Sequence, residues 1–218
     1  MEERGAAIFD VDGTLIGCSS ERTFFVRLAR AGIVRPRHVA QWVARAVGDL
    51  GGGIDTAVRG NRAYLAGMSA EQIAVLAAQH ADEYLRDCIP DAARAAVRER
   101  QEAGDLVFLV SGSLDVLVAP LADMVGADGY RASTLAEADG RLTGRLSNTH
   151  PVGPGKVEVA ESLARSYGFS LDRSTAYGDR PSDAVLMSRV ATAVAVSPKR
   201  ALARQARRHG WEIVRWHG

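Results

Sequence analysis

The chain has 218 residues, 47% of them hydrophobic, and a formal charge of +1, enough to bury a full core as one large domain or a core with one insertion. No run of like charges offers a nucleic-acid footprint or a polybasic membrane patch, and no apolar stretch approaches membrane-spanning length. The charged N-terminus turns strand-like within a few residues and leaves no room for a secretory apolar region, so a cytoplasmic protein is expected.

In chain order the first predicted strand is AAIFD at 6–10. Helical patterns follow at Ser20–Ala31, closing at Gly32, and at Pro36–Leu50, Asp55–Ala66 and Ser69–Leu85. The last opens with SAEQ, a capping box with Ser69 as N-cap and Gln72 three residues on. GGG at 51–53 reads as a turn between two of these helices. Phe24, Phe25, Leu28, Trp42 and Tyr64 are expected to pack as the helical segment's own core, the alternative being that some of the aromatics face a substrate. Cys18 and Cys88 lack metal or redox spacing and read as free thiols. A second strand is predicted at DLVFLV, 105–110. RASTLAEADGRLTGRLS at 131–147 carries a DG hairpin turn between alternating residues, and strands at 174–177, 191–196 and 211–214 complete the pattern. Strands alternating with helices predict an α/β fold, a mainly parallel sheet wrapped by helices, with a helical insertion directly after the first strand.

The chemistry gathers at predicted strand ends. In a strand, residues i and i+2 face the same way, so Asp10 and Asp12 of DVDGT share one side with Val11 turned away. Two clustered carboxylates are costly unless a cation joins them or one keeps a proton, so a metal ion or an acid/base pair is expected there. LVSGS leaves the Ser111 hydroxyl and the amides of Gly112 and Ser113 where anionic oxygens can be held. Lys156, in GPGKVEVAESLA, opens a helix from which a point charge can reach an anion. This is no nucleotide P-loop, because His150 stands at the first glycine position and Val157 where Ser or Thr is needed. STAYGDRPSDAVL places Asp179 at a strand end, with Pro181 suited to the first helical position and Asp183 in the first turn. With Asp10 these acids make an oxygen-rich set suited to Mg²⁺. His38, His80, His150, His209 and His217 show no ligand spacing, although THPVGPGK brings His150 next to the phosphate lysine.

The series DxDGT, SGS, K, GDxxSD resembles the haloacid dehalogenase superfamily of aspartyl-phosphate phosphatases, and within it subfamily IB, the phosphoserine-phosphatase-like group. GADGYRASTLAEADGRLTGRL and VAVSPKRALARQARRHGWEIV also resemble that subgroup. The resemblance implies a Rossmann-like, mainly parallel core at 1–16 and 89–218, an inserted all-helical C1-type cap at 17–88, Mg²⁺ as cofactor and a small-molecule phosphomonoester as substrate. It makes Asp10 the nucleophile and Asp12 the acid/base. Metal would be held by the Asp10 carboxylate, the Asp12 carbonyl and Asp179, with Asp183 binding directly or through water. Ser111, Gly112 and Lys156 would hold the phosphoryl oxygens.

Three departures bear on the substrate: Ser182 replaces an Asn, Arg180 replaces a small residue, and Ser19 stands where phosphoserine phosphatases carry a substrate-reading Glu. Glu21, Arg59, Arg62 and His150 are further candidates to meet substrate. The expectation is therefore a Mg²⁺-dependent phosphomonoesterase on a phosphorylated alcohol, sugar or polyol, with phosphoserine as the alternative. A receiver-like or non-catalytic phosphate-binding protein is the reading from another class.

Overall fold

The structure, a computed structural model, describes residues 4–48, 61–148 and 150–217. Its central sheet holds β1 (Ala6–Phe9), β2 (Leu106–Leu114), β3 (Gly129–Ser133), β6 (Thr175–Gly178), β7 (Thr192–Val196) and β8 (Glu212–Val214) in the order β3-β2-β1-β6-β7-β8. Every pairing in it is parallel. A separate antiparallel hairpin is formed by β4 (Leu135–Ala138) and β5 (Arg141–Leu146).

The near-continuous apolar runs are explained by burial on both faces. Ala7, Phe9, Val107 and Leu109 join one buried cluster, while Ala6, Ile8, Phe108 and Val110 join the other, as the two-residue strand period requires. The packing helices outside the insertion are α4 (Asp91–Glu102), α5 (Asp115–Val125), α6 (Pro154–Tyr167), α7 (Ala184–Met187) and α8 (Arg200–His209). From β1 the chain winds through β2 to β3 on one side, and β6 to β8 lie on the other. The carboxyl ends of β1, β2 and β6 therefore border a topological switch point, where an open α/β sheet leaves its ligand crevice.

The insertion carries α1 (Ser20–Arg30), α2 (Pro36–Gly48) and α3 (Ala70–Glu83). Ser69 accepts from the Gln72 amide at 3.3 Å, the capping bond that SAEQ predicts. Residues 49–60, which include GGG and Arg59, lie outside the described residues, as does most of the helix expected at Asp55–Ala66. In its described part only a 3₁₀ turn forms, Ala63–Leu65, closed by its own backbone bonds, while the Arg62 amide ahead of it bonds to Gly144 of the hairpin. Nor does the segment keep a core of its own. Phe24, Leu28, Leu65, Ile73 and Leu85 merge with Phe9, Leu109 and Leu117 in one cluster on the sheet's face.

Three boundaries differ from the sequence reading. β2 runs on through Ser111–Leu114, and its register against β3 shifts between Val110 and Leu114, so the SGS segment is a distorted strand end. The hairpin is tighter than 131–147, because Arg131–Ser133 belong to β3 of the main sheet. At its tip Asp139 and Gly140 both take left-handed φ, 51° and 72°, as a two-residue primed turn requires. Finally, α7 begins at Ala184 with Asp183 as its N-cap residue, so Pro181 precedes the helix.

Candidate active site

Asp10 leaves β1 with its amide bound to the Tyr177 carbonyl of β6 at 3.0 Å. Lys156, buried in the first turn of α6, places Nζ 2.6 Å from Oδ1 of Asp10 and 2.6 Å from Oδ1 of Asp183. Oδ2 of Asp183 accepts the amides of Asp179 at 3.2 Å and Arg180 at 2.9 Å. Both Asp183 oxygens are thus engaged, and this acid ties the β6–α7 loop to the lysine. Asp179 is 1% exposed, and its Oδ1 is buried without a hydrogen-bond partner. Arg180 Nε stands 3.7 Å from its Oδ2, with the arginine side chain largely exposed. Gly13 permits this crowding: it has φ +87°, and a Cβ there would lie 2.5 Å from Asp179 Oδ2, so no other residue fits.

The electrostatics follow from three acids around one cation. Burial pushes the Asp10 carboxyl up to about 7 against the pull of Lys156, and Asp183 and Asp179 add to the rise. Burial and then Asp183 push Asp179 up to about 6. For Lys156 burial works against the charge, but Asp10 and Asp183 outweigh it and hold its pKa above the ordinary lysine value. Carboxylate oxygens of Asp10, Asp179 and Asp183 lie within 4.8 Å of one another. An all-oxygen donor set with one orphaned buried oxygen fits a hard divalent cation.

Asp12 sits beside this cluster in a different setting. Its Oδ1 accepts the Ser20 amide at 3.0 Å, and its Oδ2 accepts the hydroxyls of Ser113 at 2.9 Å and Ser19 at 3.3 Å. Ser113 is a site residue that the sequence reading missed as a side chain. Its signal was there, since Ser111 and Ser113 are two apart in a strand and share a face. Ser111 Oγ accepts the Ser113 amide at 3.1 Å, so that amide is committed within the loop. His150 Nδ1 lies 2.7 Å from Ser133 Oγ, which donates to the Gly112 carbonyl at 2.8 Å, and His150 lines the same cavity as Ser111 and Gly112.

Asp10, Asp12, Ser111, Ser113, Lys156 and Asp183 line one end of a cavity of about 440 Å³ under the helical insertion. At the other end Glu21 faces inward from the first turn of α1. It pairs with Arg62 through Nε and, at 2.8 Å, through an Nη, and accepts from the Tyr64 hydroxyl at 3.0 Å. Burial raises the Glu21 pKa against the lowering effect of Arg62 and Tyr64. Arg62 also reaches the Gly112 carbonyl at 3.4 Å. Phe25, Trp42 and Tyr64 line the cavity, so of the five residues expected as segment core only Phe24 and Leu28 are wholly enclosed. The helical period cannot separate a core stripe from a cavity wall, because both are apolar faces turned inward. No helix among the described residues is long and apolar enough to cross a membrane.

Known proteins resemble this chain in sequence and in fold. The chain is 35% identical over 95% of its length to a Mycobacterium tuberculosis protein named phosphoserine phosphatase SerB1, covering 70% of it. It is 28% identical over 97% of its length to a Neisseria meningitidis histidinol-phosphatase, covering 98% of that protein. The crystal structure of a Bordetella pertussis protein of unknown function superposes with a TM-score of 0.80 at 26% identity, over 97% of this chain and 98% of that one. The model of the haloacid dehalogenase-like hydrolases matches residues 7–188, and the chain belongs to that family.

Proposed function

We infer that the chain is a Mg²⁺-dependent phosphomonoester hydrolase that works through an aspartyl-phosphate on Asp10. The observation that carries this reading is Lys156 held between Asp10 and Asp183, with the orphaned Asp179 oxygen beside them. Lys156 engages Oδ1 of Asp10, so Oδ2 is assigned the attack on phosphorus. The departing alcohol oxygen takes a proton from Asp12, which three donors hold in place. Asp12 then removes a proton from the water that attacks the acyl phosphate, returning Asp10 to a carboxylate and releasing inorganic phosphate. Lys156 and Ser111 hold the phosphoryl oxygens through both steps. Mg²⁺ bound by Asp10 and Asp179 supplies positive charge that offsets the nucleophile's and the phosphoryl oxygens' negative charge. The helical insertion, residues 17–88, acts as a lid that excludes water.

The relatives' names point to different substrates, phosphoserine and histidinol phosphate. Glu21 and Arg62 are the acid and base a zwitterionic amino acid would need, yet they are spent on each other. A zwitterion would have to replace a contact these two side chains already make with each other, which offsets much of what it gains, so phospho-L-serine is not the preferred substrate. Phosphate release from a panel of phosphorylated alcohols, sugars, polyols and phosphoserine, with and without Mg²⁺, tests both statements. Release independent of any divalent cation overturns the metal-assisted mechanism. A tenfold lead of phosphoserine in kcat/KM overturns the substrate reading.

A further inference from the structure

The cavity is far larger than a phosphoryl group: about 440 Å³ is room for roughly fifteen water volumes. Its far wall is aromatic and held in position. The Trp42 indole N–H donates to the Asn61 carbonyl at 3.2 Å, and the Asn61 amide donates back to the Trp42 carbonyl at 2.9 Å. Phe25 meets the Tyr64 ring edge-on, centroids 5.2 Å apart and planes at 81°, while the Tyr64 hydroxyl is anchored on Glu21. Between these rings the Glu21–Arg62 pair offers opposite charges that answer each other.

The wall is also fixed to the catalytic core. Arg62 donates its amide to Gly144 at 3.2 Å, Gly67 to Leu142 at 2.7 Å, Leu142 to Met68 at 2.9 Å and Ala70 to Gly140 at 3.0 Å, so residues 62–70 run as an extra edge along the β4–β5 hairpin. Gly144 has φ +73°, and a Cβ there would lie 2.8 Å from Ala63 Cα, which shows how closely the two backbones approach. Arg22 also lines the cavity, from an exposed position, but the inward-facing Glu21 and Arg62 are paired with each other, so the rigid aromatic wall between them selects mainly by shape and stacking.

Resting on the hydrolase reading, we propose that the substrate is a phosphate ester whose alcohol carries a flat, uncharged ring, stacked against Trp42 and Phe25. Trp42 and Phe25 are then specificity-determining residues. The test compares kcat/KM for 2-phenylethyl, 2-cyclohexylethyl and ethyl phosphate with Mg²⁺. The flat ring leads the saturated ring by about three- to tenfold, the added value of aromatic contact, and leads ethyl phosphate by at least about tenfold through buried apolar area. Trp42→Leu erases the preference for the flat ring over the saturated one, and Trp42→Phe keeps it. Phe25→Leu repeats the measurement should circular dichroism show Trp42→Leu unfolded. A saturated ring that performs as well as the flat one, or a flat-ring preference that survives both leucine variants, overturns the proposal while the alkyl esters still report a working hydrolase. No hydrolysis of any ester overturns the hydrolase reading and this proposal with it.

Discussion

The two ends of the cavity solve opposite electrostatic problems. At the catalytic end three carboxylates crowd together with Lys156 bonded to two of them, Asp179 keeps an oxygen without a hydrogen-bond partner, and Asp10 and Asp179 are pushed up to about 7 and about 6. At the far end one carboxylate and one guanidinium satisfy each other, with a tyrosine hydroxyl completing the set. A site with surplus negative charge and an orphaned oxygen suits a cation. An acid and a base that already satisfy each other have little charge to offer a ligand, so this end reads mainly shape. Position follows the same division: the acids stand at strand ends and their adjoining loops, whereas the far wall is assembled from α1, α2 and the turn at Ala63–Leu65.

The contrast is broken most severely at the nucleophile. Asp10→Asn removes the attacking carboxylate, and turnover falls toward background, a loss on the order of 10⁶-fold for a covalent nucleophile; single-turnover phosphate release measures it, and near wild-type rates remove Asp10 from the mechanism. Asp12→Asn keeps the nucleophile and loses the proton shuttle, for a decrease of about 10² to 10⁴-fold in kcat. A change below about threefold gives Asp12 another role.

The surplus charge also predicts a pH dependence. A cation entering the site displaces protons from Asp10, which titrates near 7, and from Asp179, near 6. Mg²⁺ affinity is therefore full at pH 8 and weaker by about 10²-fold at pH 5.5, since each bound proton competes with the metal. Titration calorimetry at the two pH values checks this, and equal affinities contradict the assigned site.

The smallest effect is the sharpest comparison, because it has opposite signs at the two ends. The Asp179 pKa is raised from 3.8 to about 6 in the fold, so its contribution to stability is present below pH 3.8 and lost as pH rises through about 6. Asp179→Asn should thus stabilise the metal-free protein at pH 8 by about 1–3 kcal/mol. Arg62→Gln, which leaves the buried Glu21 carboxylate without the guanidinium that offsets its burial, should destabilise it by about 1.5–3 kcal/mol. Thermal melts of both variants in chelator read the difference, and shifts of the same sign erase the distinction between the two ends.

Much of the catalytic end was legible in one dimension. The Asp10–Asp12 spacing, the buried apolar run before it and the acids of GDRPSD are short-range patterns, and strand period alone puts both aspartates on one side of the chain end. The fold class followed from the same source, since runs buried on both faces read as parallel strands. The far wall was legible only in part: Glu21 and Arg62 were candidates to meet substrate, but their pairing was not readable. Glu21 in a helix's first turn has an ordinary reading as a partner of the helix dipole, and nothing local says that Arg62, forty-one residues on, closes onto it. The aromatics were assigned to a core because sequence shows that a helix face is apolar and never what it faces.

What the chain determined by itself is whatever depends on neighbours within a few residues: strand and helix periods, the Ser69 cap, the Asp139–Gly140 turn and the paired acids at the end of β1. Only the tertiary structure decided which buried charges are answered and which are left over. That depends on contacts between residues far apart in sequence. Lys156 meets Asp10 across 146 positions, Ser113 meets Asp12 across 101, and the hairpin carries residues 62–70 against the core. Such contacts are set by how the layers pack, which no local pattern encodes.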